Sequence, residues 1–355
     1  MAAAVCRAVH LRGCRPAAVR VALDFRAERL IGAARGSVKT MSSRHLVDPE
    51  LTPLLELFPT EDFSRDLLPT IRSREFPSRS DPGVDARVAM ETRAVPGPEG
   101  APEVSVRIYR PKEREMVRPC ILHIHGGGFV VGSAAMMDPM HRALALEVNC
   151  VIVSVEYRLA PETPFPGGIE DCYAALAWLV KEAPRLGVDS NRIGVMGESA
   201  GGGLAAALAL LARDRGKYRL AFQHLIYPML DDRTCVSSDP HPCAGDYIWT
   251  PHNNSFGWTA LLNAPPGSDG VSMYAAPARA EDLGGLPKAF IATGALDLFL
   301  EEDLEYARRL TRHGVPVEMH VYPGAYHAFD LAFDARVTAQ ARLDSSRSLQ
   351  RALHP

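Results

Sequence analysis

Five residues, Gly197-Glu198-Ser199-Ala200-Gly201, constrain this chain more than any other feature. They follow the strand-like Arg192-Ile193-Gly194-Val195-Met196 and run into Gly202-Gly203-Leu204-Ala205-Ala206-Ala207-Leu208, which has the composition of a buried helix. A serine on so tight a strand-to-helix turn is held at strained dihedrals with its hydroxyl turned to a cleft, and flanking glycines let strand and helix pass without Cβ clashes. Ser199 is therefore expected to be the nucleophile of an acyl transfer. A Gly-rich turn also occurs as plain punctuation, so the assignment depends on its company.

That company is found upstream and downstream. Residues 118–124 read as a buried strand that runs into His125-Gly126-Gly127-Gly128-Phe129, where three glycines leave backbone N–H groups free to point at a ligand. Such a loop can build an oxyanion hole. A nucleophilic serine also needs a general base, and the base needs an acid that fixes its tautomer. Among twelve histidines, His327 lies in the turn-rich Tyr322-Pro323-Gly324-Ala325-Tyr326-His327-Ala328-Phe329 just after the strand-like residues 317–321, whereas His320 sits inside that strand and reads as structural. Asp297 follows the apolar run 289–294 and precedes a helical pattern, which places it at the carboxyl end of a strand, where open α/β sheets carry their sites. Asp231 and Asp232 also follow a strand-like run, 225–229, but one strand too early, and read as loop-capping carboxylates. The chain order Ser199, Asp297, His327 is that of the α/β-hydrolase fold.

The composition fits that fold. With 355 residues and 47% hydrophobic content the chain can bury one large α/β core. Apolar runs of strand length alternate with helical stretches such as 171–183 and 300–310, the pattern of a mostly parallel central sheet flanked by helices. Residues 84–94 and 104–109 alternate around Pro96-Gly97-Pro98-Glu99-Gly100, which predicts an antiparallel hairpin at the sheet's edge.

His125-Gly126-Gly127-Gly128, then Tyr157-Arg158-Leu159-Ala160-Pro161-Glu162 with Phe165-Pro166, then Gly197 to Gly202, resemble the hormone-sensitive-lipase family of esterases, the bacterial family IV type. The likeness covers roughly residues 84–352. It implies a serine carboxylesterase acting on short- to medium-chain esters through an acyl-enzyme, with the oxyanion held by the N–H groups of Gly127, Gly128 and Ala200. An amidase or carbamate hydrolase would use the same triad. Non-catalytic receptors of this architecture lose the catalytic histidine, which this chain keeps as His327. The family role of His125, with Gly126 beside it, is to hydrogen-bond the loop and hold the glycines in shape. Two departures stand out: Glu198 replaces the family's usual Asp before the serine, and His327-Ala328-Phe329 replaces His-Gly-Phe, so the backbone there is expected to do without a positive φ.

Residues 41–80 read as short amphipathic helices, and the 57 residues from 231 to 287 are too many for a plain crossover. The resemblance implies that both form a helical cap over the site, with 81–355 as the catalytic domain. The second piece is rich in aromatics, and Phe129, Trp249 and Trp258 are the candidates for lining an apolar substrate pocket. Residues 1–40 carry eight Lys and Arg against two acids, with arginines breaking any apolar run, so they fit neither a Sec signal nor a membrane span; the Arg-rich, acid-poor composition also suits a mitochondrial presequence, and a disordered extension is expected.

Seven cysteines without a CxxC pair suit free thiols in the cytoplasm, although Cys235 and Cys243 lie close enough in sequence to bridge if oxidised. No zinc-ligand spacing, P-loop or GxGxxG is present in the sequence, so no metal or cofactor is expected. The acidity of residues 41–355 speaks against nucleic acid. The expected partners are a small-molecule ester and, at most, a second copy of the chain as a homodimer.

Overall fold

The computed structural model describes residues 43–58, 61–74, 81–113 and 117–355; the disorder expected of residues 1–40 lies outside them. In chain order, α1 (Thr52–Leu57), α2 (Leu68–Arg72) and α3 (Pro82–Arg87) precede β1 (Val88–Val95) and β2 (Val104–Pro111). There follow β3 (Arg118–Ile124), α4 (Asp138–Glu147), β4 (Val151–Glu156), α5 (Gly167–Leu186), β5 (Val188–Glu198) and α6 (Ala200–Arg215). The last third holds β6 (Phe222–Ile226), α7 (Pro251–Leu262), β7 (Lys288–Gly294), α8 (Leu300–Arg312), β8 (Val317–Tyr322) and α9 (Arg336–Leu353).

The eight strands form one sheet in the order β1-β2-β4-β3-β5-β6-β7-β8. Strand β2 runs antiparallel to both of its neighbours, and every other pairing is parallel. A parallel sheet needs cover on both faces, and the central strands are composed accordingly: all seven residues of β3 are buried. Alternate residues divide between the two faces. Cys120, Leu122 and Ile124 join the core beneath α5, α6 and α8, whereas Ile121 joins that of α4 and α9. Helix α6 is built of Ala, Gly and Leu because it lies in the core with its first thirteen residues buried, and Gly216 ends it at φ 66°. Among the described residues no helix is long and apolar enough to cross a membrane.

The edge hairpin forms, with Val88 opposite Pro111 and Val95 opposite Val104, but it begins later than the alternation suggests. Residues 84–87 belong to α3. Asp81 caps that turn by accepting from the N–H groups of Gly83 and Val84, and Pro82 fixes its first residue, so helix-start chemistry overrides a strand-like pattern.

The described parts of 41–80 and 231–287 meet each other. The Phe63 N–H donates to Asn253 Oδ1 (2.8 Å), and Asn253 Nδ2 donates to the Glu61 carbonyl (2.9 Å). The Ser43 hydroxyl donates to Asp246 (2.6 Å). Arg72, at the end of α2, donates to the carbonyls of Val130 and Ala160 and pairs with Glu162. The first segment thus rests, through Arg72, on the loop that follows β3 and on the Tyr157 to Glu162 block.

Candidate active site

Ser199 stands between β5 and α6 at φ 54°, ψ −122°, a conformation that a non-glycine residue adopts only where its surroundings dictate it. Here they do. Its N–H donates to the Ile226 carbonyl (2.9 Å), and its own carbonyl accepts from Met229 (2.9 Å) and Gly203 (3.0 Å). With the main chain tied on both sides, the hydroxyl is the group left to point away. Gly201 is required by proximity, since a Cβ there would fall 2.0 Å from the Ile124 carbonyl oxygen and 2.5 Å from that of His125.

His327 bridges the two other expected residues. Its Nε2 lies 2.9 Å from Ser199 Oγ, and its Nδ1 lies 2.9 Å from Asp297 Oδ2. Asp297 is fully buried and its other oxygen accepts from the Phe299 N–H (3.0 Å), so the carboxylate is fixed before it meets the ring. That acceptor holds a proton on Nδ1 and leaves Nε2 to accept from serine. Rings of Phe299 (5.2 Å) and Tyr227 (4.7 Å) stand edge-on to the imidazole and restrict its rotation. Sequence reasoning missed both, because nothing in their local pattern marks them.

The loop after β3 turns at Gly127 (φ 119°) and Gly128 (φ 58°), and the Gly127 carbonyl is occupied by the N–H groups of Val130 and Val131. Among the described residues, the N–H groups of Gly127, Gly128 and Ala200 donate to no protein acceptor. Ala200 opens α6, so its N–H is one of the helix's unpaired first donors, at the positive end of the helix dipole. His125 supports the loop: burial pulls it down to about 4, leaving it neutral, and its Nδ1–H donates to the Gly126 carbonyl (2.8 Å). Tyr157 stacks on that ring and donates to the His125 carbonyl (3.0 Å).

The remaining candidates fall elsewhere. Asp231 caps the following short helical turn through the Arg233 N–H, and Asp232 pairs with Arg279, as loop-capping carboxylates do. His320 lies between Glu318 and Asp344 on the strand. Glu198 pairs with His123 Nε2 (2.8 Å), whose Nδ1 faces Ser154. Cys235 and Cys243 are free thiols. Of the three aromatics, Trp249 reaches the site, over Gly128 and 6.3 Å from the His327 ring. Phe129 and Trp258 are buried against each other in the core, 5.2 Å apart.

One sequence expectation fails. Ala328 does adopt a positive φ, 59° with ψ 26°, where the family's usual residue is glycine. The loop must turn there to bring His327 to Ser199, and alanine, with the smallest side chain after glycine, bears the left-handed conformation.

Comparison with known proteins places the chain in a family. A family model described as alpha/beta hydrolase fold matches residues 121–331. The carboxylesterase NlhH of Mycobacterium tuberculosis is 36% identical over 315 residues, which cover 87% of this chain and 97% of the relative. Esterase LipI of the same organism is 33% identical over 296 residues, 82% of this chain and 90% of the relative. Among solved structures, a bacterial heroin esterase superposes with a TM-score of 0.78 at 37% identity, over 88% of this chain and 99% of that one.

Proposed function

The chain belongs to the hormone-sensitive-lipase-like family of α/β hydrolases, and from that premise we propose that it is a serine carboxylesterase whose nucleophile is Ser199. The observation that carries the assignment of residues is the single imidazole, His327, placed 2.9 Å from both Ser199 Oγ and Asp297 Oδ2. In the reaction His327 takes the serine proton as Oγ attacks the ester carbonyl, and Asp297 stabilises the imidazolium that forms. The oxyanion is held by the N–H groups of Gly127, Gly128 and Ala200, each worth about 10²–10³ in kcat in comparable sites. The imidazolium then returns its proton to the departing alcohol, and a water activated by the same ring releases the acid.

The segments around 41–80 and 231–287 serve as the cap, and Trp249 forms the wall nearest the reacting carbon. An apolar wall of that kind favours esters of short to medium acyl length. Buried free thiols at Cys120, Cys150 and Cys172 support a reducing, cytoplasmic setting. The test is covalent labelling with a fluorophosphonate followed by peptide mass mapping. One adduct is expected, on the peptide that contains Ser199; an adduct on another serine would reassign the nucleophile. A panel of p-nitrophenyl esters against the matching anilides reads the substrate class, and faster cleavage of anilides would turn the reading to an amidase.

A further inference from the structure

Behind the nucleophile's strand, on the face covered by α4 and α9, the apolar packing is interrupted. One buried cluster there includes Ala145, Met196 and Leu349, and another includes Ala292, Tyr322 and Phe329. Between them lies a cavity of about 210 Å³. Its walls are largely apolar, yet Glu198, Asp330 and His141 all line it.

Each of those three groups has hydrogen-bonding capacity left over. Glu198 commits one carboxylate oxygen to His123 (2.8 Å), and Asp330 commits one to the Tyr227 hydroxyl (2.6 Å). Among the described residues no other side chain is seen donating to either carboxylate, and Asp330 also takes its own main-chain N–H. Burial raises the proton affinity of Asp330 and the charge of Glu198 adds to it, while the Tyr227 hydroxyl and the Arg342 guanidinium act the other way. His141 is buried with neither ring nitrogen paired, and burial holds it neutral, with nearby His123 and Arg107 acting in the same direction. Of the other charged groups lining the cavity, Arg342 donates to the Asp330 main-chain carbonyl, lies over the Phe333 ring and acts by its charge on the Asp330 carboxylate, and Glu147 accepts from Ser346.

Two carboxylates and a neutral imidazole, each with acceptor capacity to spare, line a half-open and largely apolar cavity, and what complements them is a compact cation with three donors. An ammonium has that number. We propose that this cavity is a second binding site, separate from the ester-hydrolysing one, for a small primary ammonium with an apolar tail. The head group sits between Glu198 and Asp330 with its third N–H towards His141, and the tail lies along Met137, Met140 and Leu144. A carboxylate of equal length is repelled there, and an alcohol fills only one acceptor. The proposal does not depend on Ser199 being the nucleophile.

Calorimetric titration of the full chain near neutral pH with hexylammonium chloride, 1-hexanol and sodium hexanoate tests it. Hexylammonium is expected to bind saturably, hexanol at least about tenfold more weakly, and hexanoate not at all, a tenfold loss being about the worth of one charge-assisted hydrogen bond. Asp330→Asn should weaken hexylammonium by a similar factor, and Ala341→Trp, which fills the α9 wall, should abolish binding. Equal affinity for the three compounds, or unchanged affinity in both variants, would overturn the proposal. Crystals of the unaltered protein soaked in hexylammonium decide the location even if a variant does not fold. Density between Glu198 and Asp330 supports the site, and density confined to the cleft at Ser199 refutes it.

Discussion

Trp249 lies across Gly128 so closely that a Cβ on that glycine would fall 2.0 Å from the indole Cη2 and 2.7 Å from Cζ2. The glycine also stands at φ 58°, which side chains disfavour, so its backbone and the indole are fitted to each other. The Trp249 ring is itself held, because its Nε1 donates to Asn254 (3.1 Å) and Phe63 stands edge-on to it. Gly128→Ala should therefore displace the oxyanion loop, not merely crowd it. The expected loss is about 10²–10³ in kcat on a p-nitrophenyl ester, the effect of losing one oxyanion donor. Melting temperature should fall by a few degrees from the same overpacking, and an alanine variant with unchanged kcat would remove Gly128 from the oxyanion hole.

The contact of His327 with both partners makes the three side chains a unit, so their removals do not add. Ser199→Ala and His327→Ala are each expected to lower kcat by about 10⁴ or more, and the double variant by little beyond that. Asp297→Asn should retain more, because Phe299 N–H still holds the amide in place while the imidazolium loses its counter-charge. Steady-state kinetics with far-UV circular dichroism separates lost chemistry from lost fold. A Ser199→Ala variant with about a tenth of the normal kcat would rule out the nucleophile assignment.

Ala328 carries strain in order to aim His327 at Ser199, and that strain can be relieved. A left-handed conformation costs an L-residue roughly 1–2 kcal/mol, and glycine gives back roughly 0.5–1 kcal/mol of it through greater freedom in the unfolded chain. Ala328→Gly should thus stabilise the protein by up to about 1 kcal/mol, read as a melting temperature a few degrees higher. Ala328→Val, branched at Cβ, should destabilise it and lower kcat as the His327 loop shifts. A glycine variant that melts lower would show that the loop is held by rigidity and not merely strained.

The same loop marks where the sequence is legible and where it is not. Ser199, Asp297 and His327 could be read because each follows a strand end, and the apolar runs of β5, β7 and β8 locate those ends. His320 could be set aside because it lies within β8. The backbone at Ala328 is not legible, because a dihedral depends on where the chain must go next and not on residue identity alone. Residues 84–87 mislead because period-two alternation over four residues is also compatible with a single capped helical turn. Tyr227, Phe299 and Arg72 carried no signal at all. Their contacts with His327 and with the loop carbonyls join elements far apart in sequence, and only the assembled sheet brings them together.

Buried histidines give the fold a defined response to acid. Burial pulls His125 down to about 4 and His224 down to about 3, from an ordinary 6.5, and holds His141 well below its ordinary value. In the unfolded chain these imidazoles take up protons as pH falls below 6.5, while in the folded protein they stay neutral. The unfolded state then binds more protons, so the free energy of unfolding declines as pH falls. The decline begins near 6.5 and continues until the folded groups themselves titrate, reaching on the order of 3 kcal/mol for a group shifted as far as His125. Glu162, held down to about 2 chiefly by the Arg72 guanidinium, acts in the same direction but only below its ordinary 4.5, so it does not set the upper part of the window. Urea denaturation followed at a series of pH values should show stability constant above that window and falling through it. His224→Phe, which keeps the stacked contact with Phe290 and removes one titrating group, should flatten the slope. An unchanged slope in that variant would mean that His224 takes up its proton alike in the folded and unfolded protein.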